Sequence, residues 1–289
     1  MRIHLIHNPT SSSHDPHRLK ALEAAFTAAG AEVVQGISSP LQACRIDDRA
    51  DRVVVVGGDG TVRHVVAAIR ASARTLPLAI YPGGLVNLLH RELQSPTEPA
   101  AFAEMALAGQ TVHPAFAAMS GAGDFLACAS VGPDSHAVAA LSETLKRRIG
   151  RFAYVFAFLG VLWRWPRPRL QLRVDGEPWT AEAVFIAKGR YYAGPWSFAP
   201  DARVESPLLH VVALPRLTRG VFLRFTLALL LGRAPPASIC RSASCREITI
   251  ETAPGSPAVP LQADGDLQGS TPVRIALDTE PYRVCRPAR

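Results

Sequence analysis

The stretch from Val53 to Val62, "VVVVGGDGTV", constrains the fold more than any other. Four consecutive valines leave no polar face, so the strand they form must be covered on both sides, the condition of a parallel sheet flanked by helices. Beyond it, Val62, Val65, Val66 and Ile69 recur at i, i+3, i+4 and i+7 and predict a helix. Gly57, Gly58, Asp59, Gly60 and Thr61 therefore form a loop from the carboxyl end of a buried strand to the amino end of a helix. Such a loop presents unpaired backbone N–H groups and the positive end of the helix dipole, which together favour a phosphate. Glycines let the anion approach the backbone closely.

The surrounding sequence repeats the alternation. "RIHLIH" predicts a first strand, Leu19, Leu22, Phe26 and Ala29 a helix, "AEVVQG" a second strand and "PLAIYPGG" a fourth, after the valine strand. This βαβα order implies a doubly wound α/β domain over residues 1–114. From residue 115 the texture changes to short runs broken by glycine, proline or aspartate: "FLACASVG", "RLQLRVDG", "AVFIAKGRYYAG", "LLHVVAL", "EITIET" and "VRIAL". They predict a mostly β domain over 115–289 with helical patterns at 137–163 and 217–232, its last strand free to pack back on the first domain.

The loop has neither the G-x-G-x-x-G spacing of a dinucleotide fold nor the lysine of a mononucleotide P-loop. Asp59 is placed either to hold a magnesium–nucleotide complex or to cap the helix, and Thr61 either to donate its hydroxyl to a phosphate oxygen or to cap. A net charge of +7 favours anionic partners. Nucleic acid is not expected among them, because the basic residues are scattered and no helix-turn-helix, zinc knuckle or aromatic RNA-binding motif is present. Five cysteines without knuckle spacing, and a start lacking the features of a secretory signal, point to reduced thiols and a cytoplasmic location. The dispersed histidines predict no metal site of their own. Ser135 beside His136 lacks a nucleophile elbow.

The longest apolar stretches, 152–163 and 225–232, fall short of the ~20 residues that span a bilayer. Residues 146–169, "KRRIGRFAYVFAFLGVLWRWPRPR", carry Trp163 and Trp165 and basic flanks. They read either as a contact with an anionic membrane, such as the inner membrane face, or as a core helix with basic ends. The 217–232 segment, with Arg219 and Arg224 among leucines, is open to the same two readings.

Further pieces stand in order. "HNPTSSS" ends the first strand, "YPGGLVN" the fourth, "GRYYAGPWSFAPDA" occupies 189–202 and "LQADGD" runs from Leu261 to Asp266. With "GGDGT", this set resembles the soluble bacterial diacylglycerol kinase and sphingoid-base kinase family, distantly similar to NAD kinases, over nearly the whole chain. The resemblance implies an ATP-dependent lipid kinase using Mg2+, with nucleotide on the first domain and a diacylglycerol-like or sphingoid substrate near the second. It implies that Gly57, Gly58, Asp59, Gly60 and Thr61 bind nucleotide phosphates, that Asn8, Gly84 and Asn87 are neighbouring contacts, and that Asp264 is the general base. Asp59 is paired with Asp264 in the catalytic set, and both are the candidate metal contacts through the magnesium–nucleotide complex. A homodimer is left open.

The sequence departs from the family pattern in several places. Leu85 and Leu88 replace the threonine and aspartate of P-x-G-T-x-N-D, and Arg63-His64 replaces an Asn-Glu pair. An acid expected at the domain junction falls on His113, and Ser206-Pro207 stands for the Asp-Gly of a structural magnesium loop. Leucine accepts no hydrogen bond. A homologue that binds lipid or nucleotide without turnover is therefore the alternative reading, and a kinase of small molecules related to NAD kinase a further one.

Overall fold

The computed structural model describes residues 1–11, 14–39, 44–108, 112–120, 123–140 and 167–288. The first part of the chain runs β1 (Arg2–His7), α1 (Pro16–Ala28), β2 (Glu32–Ile37), β3 (Arg52–Gly57), α2 (Asp59–Ala71), β4 (Pro77–Pro82), α3 (Leu88–Leu93), α4 (Pro99–Leu107) and β5 (Val112–Ala115). The remainder runs β6 (Ala118–Ser120), β7 (Gly123–Phe125), β8 (Cys128–Val131), α5 (Pro133–Ala139), β9 (Leu170–Val174), β10 (Glu177–Ala181), β11 (Ala183–Ala187), β12 (Leu209–Leu214), α6 (Arg219–Leu230), β13 (Arg241–Cys245), β14 (Glu247–Thr252), β15 (Pro260–Ala263), β16 (Asp266–Ser270), β17 (Val273–Leu277) and β18 (Tyr282–Cys285). The chain divides into two compact units, one of Met1–Ala115 with Glu280–Arg289 and one of Phe116–Thr279.

The first unit holds a six-stranded sheet in the order β2-β1-β3-β4-β18-β5. Its strands pair in parallel except β18 with β5, which is antiparallel. The valine strand is at its centre, and Val53, Val54 and Val55 are fully buried. Phe102 of α4 meets Phe26 of α1 and Tyr81 of β4 edge to face, at 6.3 and 5.0 Å between ring centres. Such edge-on pairs add to the burial of three large rings. Val62, Val65, Val66 and Ile69 of α2 are buried, as their spacing predicts.

The second unit packs two antiparallel sheets, β10-β9-β14-β17-β6-β7 and β13-β12-β11-β8-β15-β16. Leu170, Leu172 and Val174 alternate inward along β9 and share a core with Val184, Ile186 and Val211 of the other sheet. β11 is buried at every position because its other face, at Phe185, is covered by Phe198 and by Phe225 of α6. The two rings nearest each other, Phe185 and Phe225, stack at 4.6 Å. Of the helical pattern expected over 137–163, the described residues show the end of α5, which starts earlier, at Pro133, and stops at Ala139; residues 141–163 lie outside the described residues. So does 146–166 of the Trp163 and Trp165 segment. Among the described residues no helix is long and apolar enough to cross a membrane.

Candidate functional site

Three helices of the first unit begin in different ways. Asp15 caps α1 by accepting from the amides of His17 and Arg18, and Glu98 caps α4 by accepting from Ala100 and Ala101. The α2 helix starts at Gly58 with no side-chain cap. A helix start leaves about four amides without intrahelical partners, and an anion is the natural partner for those a side chain does not take.

Glycine is required here by contact. The loop after β3 and the loop after β4 meet backbone to backbone: the Gly83 amide donates to the Gly57 carbonyl at 3.0 Å. A Cβ on Gly84 would stand 2.5 Å from the Gly58 Cα, and one on Gly83 would stand 2.9 Å from the Gly57 nitrogen. Asn87, in the left-handed region at φ +54, clasps this second loop, accepting from the Gly84 amide at 2.8 Å and donating to its carbonyl at 2.7 Å. Asn8 turns back on its own strand exit, its Oδ1 accepting from the amide and hydroxyl of Thr10. It also lines a small pocket with Arg18, Tyr81 and Gly83.

Asp59 ties the two glycine loops together. Its carboxylate accepts from the amides of Leu88 at 2.9 Å and Leu89 at 3.0 Å, which begin α3. Burial pushes its carboxyl above the ordinary carboxylate range, against the pull of those two amides. The residue that replaces the family aspartate, Leu88, thus serves through its backbone, and its side chain is buried. Leu85 is 56% exposed within the same turn. Thr61 lies nearly buried beneath the loop, its side chain filling the space that a Cβ on Gly57 would need.

Asp264 belongs to the second unit. With Gly265 it forms the two-residue turn between β15 and β16, at φ +50 and +83, and Ala263 pairs with Asp266 across it. Asp-Gly is the sequence such a turn favours, since both positions need positive φ. The carboxylate accepts from the amides of Leu126, Ala127 and Cys128 at 2.8, 2.9 and 3.1 Å, so its position is fixed by the chain entering β8.

Beside that turn stands a buried carboxylate that the sequence reading missed. Asp134 Oδ2 accepts from the Ser130 and Tyr192 hydroxyls and, at 3.5 Å, from Gln262 Nε2. Its Oδ1 is enclosed with no partner among the described residues. Gln262 donates to Ser130 at 2.9 Å and accepts from the Gly265 amide at 3.1 Å, linking Asp134 to the Asp264 turn. Its amide has one workable orientation, because Gly265 offers a hydrogen and Asp134 offers lone pairs. Tyr192 sits inside the quoted "GRYYAG" and Gln262 inside "LQADGD", which were the available signals. Nearby, Lys188 buries its ammonium and donates to the carbonyls of Arg203 and Ser206. It thereby holds the loop at which the family's magnesium motif is replaced.

Burial pushes the Asp134 carboxyl above the ordinary range, opposed by the Ser130 and Tyr192 hydroxyls, and burial together with the facing Asp134 carboxylate raises the Tyr192 hydroxyl well above its ordinary value. A carboxyl raised on folding contributes stability that is full below its unfolded value and is lost as pH rises through its folded value. Wild-type stability relative to Asp134→Asn is therefore expected to fall as pH rises above the ordinary carboxylate range. Parallel urea titrations of the two proteins read this, and a difference that is constant or grows with pH would refute the assignment.

The glycine loop, Asn8 and Asn87 gather in the first unit, whereas Asp264 lies in the second. Uncapped amides and a glycine-only approach fit a polyphosphate. Magnesium finds no comparable fit: among the described residues no three His, Cys, Asp or Glu converge on one point, and both Asp59 oxygens are engaged.

Comparison with known proteins covers both halves. Residues 2–118 match the diacylglycerol kinase catalytic domain and residues 127–286 the YegS C-terminal NAD kinase beta sandwich-like domain. A Pseudomonas aeruginosa protein described as a probable lipid kinase YegS-like is 31% identical over 239 residues, 82% of this chain and 76% of that protein. A Pseudomonas putida protein of the same description is 35% identical over 56% of this chain, a match spanning 55% of its own length. A solved structure of a diacylglycerol kinase from Bacillus anthracis superposes over 99% of this chain and 97% of its own with TM-score 0.73 at 19% identity, a likeness of fold. With both domain models matched in order, the chain belongs to the bacterial lipid-kinase family that joins a diacylglycerol kinase catalytic domain to a YegS-type C-terminal domain.

Proposed function

We propose that the protein is an ATP-dependent lipid kinase that phosphorylates the hydroxyl of a diacylglycerol-like or sphingoid lipid. The observation that carries this reading is the start of α2 at Gly58, which no side chain of the N-cap residue covers, whereas Asp15 and Glu98 cap α1 and α4. In a chain of this family, amides left open at a glycine-only approach have a nucleotide phosphate as their natural occupant. The first unit is then the nucleotide domain and the second the lipid domain. Gly57, Gly58, Gly60 and Gly84 shape the approach. Asn8, Asn87 and Asp59 hold the loops that border it, and Thr61 packs beneath.

Asp264 is the general base of this reading. The lipid hydroxyl oxygen attacks the terminal phosphorus, the bond from phosphorus to the bridging oxygen of ADP breaks, and the hydroxyl proton passes to the Asp264 carboxylate. Catalysis of such a transfer is mostly positioning and charge stabilisation. Three backbone amides that fix the Asp264 carboxylate supply the positioning.

A second reading, binding without turnover, is favoured by Leu85, whose exposed side chain stands in the glycine turn where the family carries a hydroxyl. Calorimetry with Mg-ATP and transfer of labelled phosphate to diacylglycerol or a sphingoid base separate the two. The kinase reading expects both binding and a labelled lipid. Nucleotide binding with no labelled lipid leaves the second reading, no nucleotide binding removes the first, and label appearing on NAD in a parallel incubation would reassign the acceptor.

A further inference from the structure

Helix α6 carries phenylalanines and leucines around most of its circumference, interrupted by Arg219, Arg224 and Thr226. Its inner face, with Phe225 and Leu229, covers β11. Its outer face carries Leu223, Leu227, Leu230 and Leu231, exposed by 68, 56, 49 and 57%. These leucines recur at i, i+4, i+7 and i+8, which is one stripe of a helix. A helix with an apolar stripe on each of two faces needs a core for one and a second apolar phase for the other. Here one face has the core and the other is left outward.

The ends of the helix are firmly set. Thr218 caps the start, its side chain accepting from the Val221 amide. The end closes at Gly232, φ +62, with the Gly232 amide donating to Leu229 and the Arg233 amide to Ala228. This paired arrangement is the usual glycine termination of a helix. The stripe is therefore presented by a defined element seated on the sheet.

Charge selects the occupant. From Ser206 to Arg246 the chain has six arginines and neither Asp nor Glu. Arg219 and Arg224 flank the leucine stripe on its two sides and are exposed. Glu182 accepts from the Leu217 amide ahead of the helix and Glu177 meets Arg241, whereas the leucine stripe itself is bordered by arginines. Leucines bordered by arginines suit a surface that is apolar beneath and negatively charged at its rim, as in a bilayer of anionic lipids. We infer that the outer face of α6 docks the protein on an anionic membrane, leucines entering the acyl boundary and arginines meeting the headgroups. The inference deepens the lipid-kinase reading and rests on it for purpose, because a lipid acceptor resides in a bilayer. The binding itself requires no turnover.

The test is flotation of the full-length protein with vesicles of phosphatidylcholine alone and of phosphatidylcholine with phosphatidylglycerol, without nucleotide. Wild type is expected on the anionic vesicles, with release as salt rises. Leu227→Asp combined with Leu231→Asp, both at exposed positions, is expected to lower the bound fraction at least about tenfold at unchanged unfolding temperature. Arg219→Glu with Arg224→Glu is expected to remove the preference for anionic lipid. Equal binding of wild type and the leucine variant overturns the proposal, as does absence of wild type from anionic vesicles. Sedimentation velocity provides a third check: a wild-type dimer that the leucine variant converts to monomer would make the occupant a second copy and overturn the membrane proposal. Vesicle binding with no phosphorylation of any lipid removes the kinase reading and leaves the docking. Phosphorylation of detergent-dispersed lipid without vesicle binding does the reverse.

Discussion

Gly84→Ala is expected to lower the unfolding free energy by roughly 3 kcal/mol and to weaken ATP binding at least about tenfold, although it adds one methyl group. The methyl would sit 2.5 Å from the Gly58 Cα and 2.9 Å from the Asn87 Oδ1. On the Gly58 side the neighbour is backbone, which has no rotamer by which to move aside. Relief requires the two glycine loops to part, and their separation pulls Leu88 and Leu89 from the Asp59 carboxylate that joins them. The thermal midpoint should fall by about 6–12 °C, taking roughly 2–4 °C per kcal/mol for domains of this size. Gly220→Ala is the control: it lies in α6 with nothing within 4 Å of its added Cβ, so alanine's helix preference should leave stability equal or slightly raised. Calorimetric melting and ATP titration of both variants give the comparison. A Gly84→Ala protein that melts and binds like wild type would mean the loops are not held in contact.

The elements legible in the sequence are those whose signal is local. The valine strand is buried on both faces because four adjacent valines admit no other arrangement, and α2 follows the glycines as the i, i+3, i+4 pattern predicts, though it begins at Asp59 and so takes Gly60 and Thr61, expected in the loop, into its first turn. "ADGD" reads as a tight turn, and Asp264 and Gly265 adopt it. What escaped depends on contacts far along the chain. β18 enters the first sheet, as a last strand free to pack back on the first domain allows, but nothing in "YRVC" names β4 as its parallel partner some two hundred residues earlier. Asp134 meets Tyr192 across 58 positions, so the buried carboxylate shows in "SVGPDSHAV" only as a helix-start acid.

The roles of loop residues were legible by type but not by direction. Periodicity places Thr61 at the start of α2 without saying which way its side chain points, and it points under Gly57. Asn87 carries the right groups for a ligand and applies both to the Gly84 peptide. The departures at Leu85 and Leu88 look equivalent in sequence. The fold separates them, since position 88 works through an amide that any residue other than proline supplies, while the side chain at 85 faces outward.

Asp264→Asn is expected to reduce phosphate transfer to lipid by about 10²–10⁴-fold, the usual share of a positioned general base. The same change should leave ATP affinity unchanged, since the residue lies in the second unit and the glycine loops in the first. A structural cost accompanies it. The carboxylate receives three amide hydrogens, two on Oδ1 and one on Oδ2. An asparagine offers an oxygen to one side only and turns its NH2 against a donor on the other, so about 1–3 kcal/mol of stability should be lost with that hydrogen bond. Loss of activity alone would not distinguish a missing base from a displaced β8 entrance, and Gln262→Glu supplies the distinction. It keeps Asp264 in place as a residue but sets a second carboxylate against Asp134, where Gln262 Nε2 had donated at 3.5 Å. Two facing carboxylates are relieved by sharing a proton, so transfer by Gln262→Glu should recover as pH falls toward 5. Asp264→Asn has no such proton to regain and should stay inactive across the range. Rate–pH profiles of wild type and both variants under saturating ATP provide the measurement. An Asp264→Asn enzyme within tenfold of wild type would remove the base assignment, and a Gln262→Glu profile parallel to wild type would detach Asp134 from the turn that carries it.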